Sequence, residues 1–163
     1  MRTLPFFRLF MLLDALLSYL HIVLIFSLIV FQAAQTAILR PDWFNAATLA
    51  RLQRLAFISN AAIVLVLISG IARLYGGMLD SGWLLRNGLF HIKLSLFLVM
   101  VALSLPALRA YKSWAAIYAA SGELPSALEL KGARRWMMAS SHLMLLIPLF
   151  AVLVARGYGS WGA

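Results

Sequence analysis

Four apolar runs, at about residues 10–38, 56–74, 89–108 and 136–155, occupy most of this 163-residue chain. A helix needs about 20 residues to cross the hydrocarbon core of a bilayer, and each run is near or above that length. Lipid offers no water to a bare peptide group, so such runs are confined to helices that satisfy their own backbone. Only 12% of the residues are charged, against about 25% in a soluble domain. The expected fold is all-α: an integral membrane four-helix antiparallel bundle, one membrane domain over residues 1–163.

The net charge of +9 would suggest nucleic acid in a soluble protein. Here the basic residues cluster at helix ends and in loops, where they meet lipid headgroups. No compact basic patch with spaced aromatics is present, so the expected partner is the lipid bilayer and no nucleic acid. Cysteine is absent, which excludes disulfides, thiolate metal sites and cysteine nucleophiles. Arg2 and Arg8 resemble the basic start of a signal peptide. The run that follows is about twice the length of an h-region, and it carries Asp14, His21, Gln32 and Gln35. It reads as a retained helix.

Local signals place the helix ends. Pro41 disfavours helical geometry at Arg40, and Asn45 is an N-cap for the second helix. Gly76-Gly77 stops that helix, and the short loop 78–86 makes the second and third helices antiparallel neighbours. The third helix is expected to run past Pro106 through an aromatic and basic extension to Ser121-Gly122. Ser126 and Glu129 fit a capping box for the last helix, and Pro148 should kink it by freeing the Met144 carbonyl. Four spans put both termini on one side, with Arg2, Arg8, Arg73, Arg86 and Arg156. The other side holds eight basic residues (Arg40, Arg51, Arg54, Arg109, Lys112, Lys131, Arg134 and Arg135). Loops 1–2 and 3–4 are therefore expected in the cytoplasm and both termini outside it.

Polar groups at membrane depth are costly and point to function. On the first helix Asp14, Ser18, His21, Gln32 and Thr36 fall within about 40° of one line, with Gln35 at its edge. This stripe should face the other helices, as hydrogen-bonding glue or as part of a site. Single histidines lie in three of the runs: His21, His91 and His142. His21 is about 13 Å and His91 about 5 Å below the terminal-side surface, while His142 lies in the other half. His21 with a residue of the third helix is thus the best metal-ligating pair, and His21 and His91 are the candidate metal ligands. Lys93 lies about 200° from His91, so one faces the pocket and the other borders it or snorkels. Arg73 and Arg86, at the same edge, are candidates to hold carboxylates, or they meet headgroups. Asn60 reads as a helix-packing hydrogen bonder. No phosphate loop, paired carboxylate site or nucleophile triad is evident, and the sequence leaves open whether the protein is an enzyme.

The segments Gly76-Gly77-Met78-Leu79-Asp80, Asn87-Gly88-Leu89-Phe90-His91-Ile92-Lys93 and Leu146-Ile147-Pro148, together with Tyr19-Leu20-His21, resemble a family of predicted bacterial membrane proteins of unknown function. Leu20-His21 and His91-Ile92-Lys93-Leu94 are more distantly similar to the haem-binding four-helix proteins typified by the J-type protoporphyrinogen oxidase, and to the copper-resistance D-type membrane domains. In that oxidase group a first-helix histidine and a third-helix lysine are associated with haem b. The resemblance implies that His21 and Lys93 occupy those places, in a bacterial inner (cytoplasmic) membrane. The chain departs from the oxidase pattern in its first helix, which lacks the Trp-x-Ala-Gly stretch and the closing arginine and has Gln32 and Gln35 instead. The resulting expectation is a haem- or porphyrin-binding bundle for electron transfer or porphyrin oxidation. His21 is its chief ligand, Lys93 or His91 the second ligand or porphyrin partner, and Arg73 and Arg86 the propionate partners. The alternatives are an accessory or assembly subunit of a larger membrane complex, a homo-oligomer, or passage of ions along the Asp14–His21–Gln32 stripe.

Overall fold

The computed structural model describes residues 4–159, with side chains from Phe7 onward; Arg2 lies outside the described residues. The order is α1 (Leu4–Ile38), a 3-10 turn (Pro41–Trp43), α2 (Ala46–Gly76), α3 (Ser81–Arg86), α4 (Gly88–Ser121), α5 (Ala127–Met144) and α6 (Ile147–Ala155). No strand occurs among the described residues. Helices α1, α2, α4 and the α5–α6 pair are each long and apolar enough to cross a membrane. The molecule is an all-α membrane bundle.

Short side-chain contacts set the helix ends. Before Pro41, Arg40 is extended (φ −124°, ψ 128°), as the proline ring demands. Asn45 accepts a hydrogen bond from Thr48 N at 2.9 Å and opens α2. The 78–86 loop contains a helical turn that its length alone does not announce: Asp80 accepts from Trp83 N and starts α3. The Ser126–Glu129 capping box forms in full. Pro106 is accommodated inside α4, which continues to Ser121. Pro148 has the stronger effect: α5 stops at Met144 and α6 begins at Ile147, splitting the last span in two.

Asn87 joins the two ends of the second half-chain. It is fully buried. Its side-chain oxygen accepts from Phe90 N, capping α4, while its amide donates to the Tyr158 carbonyl at 2.9 Å. Gly88 N donates to the Gly159 carbonyl beside it. Gly159 has φ +89°, and a Cβ there would lie 2.6 Å from Leu89 Cγ. Only glycine suits this turn, both for its dihedral and for its close approach.

The bundle is a ring in which α2 and α5 each touch both α1 and α4. Two apolar clusters fill it, one around Leu52, Tyr111 and Met137 near the loops and one around Leu28, Phe97 and Met100 at mid-depth. The buried stripe of α2 includes Ala56, Ser59, Ala62 and Ser69, small residues that let α1 and α4 approach closely. Asn60 lies about 100° from that stripe and is exposed, so it does not serve as the packing hydrogen bonder the sequence suggests. Beyond the Pro148 break, α6 packs on α4 and α5, and no Cα of α6 comes within 8 Å of α1.

Replacing Asn87 with Ala removes a cap and leaves the Tyr158 carbonyl without its donor, a loss of about 1–3 kcal/mol. The expected result is a lower melting temperature in detergent, with Asn87→Asp intermediate because it keeps the cap oxygen and loses the amide donor. An unchanged melting temperature for Asn87→Ala would show that the clamp contributes nothing.

Candidate functional site

The small-residue face of α2 brings α1 close enough for His21 Nδ1 to lie 2.7 Å from Ser69 Oγ. The Ser69 hydroxyl is already committed, because it donates to the Val66 carbonyl at 3.1 Å. With its one proton on the Val66 carbonyl, Ser69 accepts from His21, and the imidazole then carries its proton on Nδ1. Nε2 is left with a lone pair and no hydrogen-bond partner among the described residues. This is the tautomer a metal-ligating histidine adopts, with the far nitrogen tied down by a neighbour. Gly70 lines the same contact, and a Cβ there would stand 3.4 Å from His21 Cε1.

Arg73, one turn beyond Ser69 on the same face of α2, and Lys93 of α4 both lie within electrostatic range of the imidazole. The two cations also lie within electrostatic reach of one another. Arg73 Nε is buried and has no partner. Lys93 is half-buried, with Nζ 5.0 Å from the centre of the Phe90 ring, a cation–π contact one helical turn away. Of the five acidic residues, Asp80 is occupied with α3. Asp14 accepts from Met78 N at 3.2 Å and pins α1 to the end of α2. Three helices thus bring an imidazole, a guanidinium and an ammonium within electrostatic range of one another, a concentration of positive charge that favours anionic groups.

The other sequence candidates lie elsewhere. His91 is exposed, and its Nε2 donates to the Leu85 carbonyl at 2.8 Å, closing the end of α3. The 200° offset is therefore resolved in favour of Lys93, and His91 stands away from His21. Arg86 is exposed in the last turn of α3, beside Gly82 and Asp80, and does not join the cluster. His142 donates from Nδ1 to the Met138 carbonyl of its own helix at 2.6 Å. No group of three or more His, Asp or Glu side chains is placed to hold a metal among the described residues.

Two participants escape a reading by residue type. Ser69 looks like one more small packing residue, and its only signal is the Ser69-Gly70 pair with a cation at i+4. The second is Met100, whose sulfur accepts from Gln32 Nε2 at 3.2 Å across the core. The polar stripe of α1 does turn inward: Gln32 and Gln35 are buried, and Asp14, Ser18, His21 and Thr36 are half-buried.

No curated protein and no solved structure matches the chain. The family described as "Predicted membrane protein (DUF2214)" matches residues 13–159, which takes in three of the four spans whole, most of the first, and every residue of the His21 cluster. The chain belongs to this family of predicted membrane proteins.

Proposed function

We propose that this multi-pass membrane protein binds a haem b or a related carboxylate-bearing porphyrin through His21. The observation that carries the reading is the His21–Ser69 hydrogen bond, which leaves Nε2 free as a nitrogen donor. The nearby donor set fits such a group: one imidazole lone pair for a metal, and Arg73 and Lys93 for carboxylates. When bound, a haem supplies one-electron or porphyrin-oxidation chemistry of its own. The residues of the chain bind and orient. Ser69 fixes the imidazole tautomer and ring plane, Arg73 neutralises carboxylate charge at the edge of the bilayer, and Lys93 takes either a carboxylate or the second ligand position. His91 and Arg86, placed outside the cluster, have no part in this reading.

Protein purified in detergent after haem-supplied expression is expected to show a Soret band. His21→Ala should lose it, and Ser69→Ala and Arg73→Gln should each weaken haem retention about 10-fold or more, the usual effect of removing a partner of a metal ligand. A colourless wild-type protein that takes up no added haem, or a band unchanged in His21→Ala, overturns the proposal. A colourless protein that co-purifies with a stable partner would instead indicate an accessory subunit.

The resemblance to bacterial membrane proteins supports placement in a bacterial cytoplasmic membrane, and the charge distribution supports both termini lying outside the cytoplasm. Alkaline phosphatase fused after residue 163 should be active, and a fusion at Arg54 inactive. The reverse pattern refutes the orientation.

A further inference from the structure

The edge where α1 meets α5 carries a feature unrelated to the His21 cluster, about 22 Å further along α1. There Arg134 crosses from α5 and donates from Nε to the Thr36 carbonyl at 3.3 Å. That bond uses one of the five N–H donors of a guanidinium and leaves its terminal fork for a further partner. Two more cations border the same edge, both exposed. Lys131 stands one turn from Arg134 on its face of α5, toward the loops. Arg40 stands four residues beyond Thr36, and the 3-10 turn that follows it packs against α5. The Arg40 guanidinium lies 5.3 Å from the centre of the Trp43 ring, an aromatic side chain of the kind that sits at headgroup level. At the start of α5, Glu129 is taken up by the amide and hydroxyl of Ser126. Asp42, beside Arg40 in sequence, leaves the three cations in excess.

Below these cations, toward the middle of the bilayer, α1 and α5 part to leave a groove of about 150 Å³ lined by Ile29, Gln32, Ala33, Ser141, His142 and Leu145. Its surface is almost wholly apolar, because the polar side chains are engaged elsewhere. The Gln32 amide nitrogen turns into the core toward Met100, while the Ser141 hydroxyl and His142 Nδ1 bond to carbonyls of their own helix. Along the helix axes, Ala33 lies about 5 Å from Thr36 and Leu145 about 16 Å from Arg134. A space of this size takes about six carbons, as a benzene-sized cavity does. Positive charge at headgroup level with an apolar trough directly beneath matches the two ends of one phospholipid.

We propose that the α1–α5 edge binds an anionic phospholipid of the leaflet on the side of the 1–2 and 3–4 loops. The Arg134 fork grips its phosphate with Arg40 and Lys131 beside it, and one acyl chain lies in the groove. A zwitterionic lipid also brings a phosphate, but its ammonium group is repelled by the three cations. The edge therefore selects a headgroup of net negative charge.

The test uses the full chain in detergent, with bound lipids counted by native mass spectrometry. Palmitoyl-oleoyl phosphatidylglycerol is titrated in and compared with the phosphatidylcholine of identical chains. The first phosphatidylglycerol is expected to bind at least 10-fold more tightly than the first phosphatidylcholine. Arg40→Gln combined with Lys131→Gln, both at exposed positions, should weaken it about 10-fold or more. Ala33→Phe, which fills the groove from an exposed position, should weaken both lipids. Arg54→Gln combined with Arg109→Gln removes the same charge from exposed positions on α2 and α4 and should leave the first binding step unchanged. Equal affinity for the two headgroups overturns the proposal. So does equal weakening by the two double variants, which would mean that diffuse surface charge does the binding. Unchanged binding in Ala33→Phe overturns it as well, because the phosphate would then be held without the chain.

Discussion

Close approach between α1 and α2 is the constraint on which the arrangement rests. In lipid the hydrophobic effect does not drive helices together, so association comes from packing and from interhelical hydrogen bonds. The small residues on the inner face of α2 allow both at once. They bring the helix backbones close, and at that range Ser69 meets His21. A bulky residue at 62 or 66 would push α1 outward, and the imidazole would lose the hydroxyl that fixes its proton. The chemistry of the site is thus a consequence of how thin one helix is along one edge.

The same rule organises the rest of the polar inventory. Ser104, Ser140, Ser141 and Thr36 all donate to backbone carbonyls, three of them within their own helices and Ser140 across to Met100. Each such bond removes a donor from the interior. Among the described residues, the buried side-chain atoms left without a partner are Gln32 Oε1, Gln35 Oε1, Arg73 Nε and the Tyr111 hydroxyl.

The fold was largely legible because bilayer thickness and backbone satisfaction leave few choices, and the caps at Asn45, Ser126 and Gly122 are local chemistry. Pro148 announced its break for the same reason. Helix α3 was hidden because its only signal is Asp80, in a loop too short to suggest an element. The site was legible in part. Helical periodicity brought out His21 and the inward stripe, and it identified His91 and Lys93 as mutually exclusive. Which of the two faces inward depends on the rotation of α4, fixed by the Asn87 clamp and by contacts some 70 residues away. Ser69 was invisible for a further reason: its role comes from the direction of one hydroxyl proton, which no spacing encodes. His142 was set aside because it lies in the other half of the bilayer from His21, and its Nδ1 bonds only to its own helix.

The interruption before Pro148 has an architectural consequence. On the terminal side α1 packs on α2 and α6 packs on α4, and no Cα of α6 comes within 8 Å of α1. The ring of helices is therefore left without a helix–helix contact along its α1–α6 edge in that half of the bilayer.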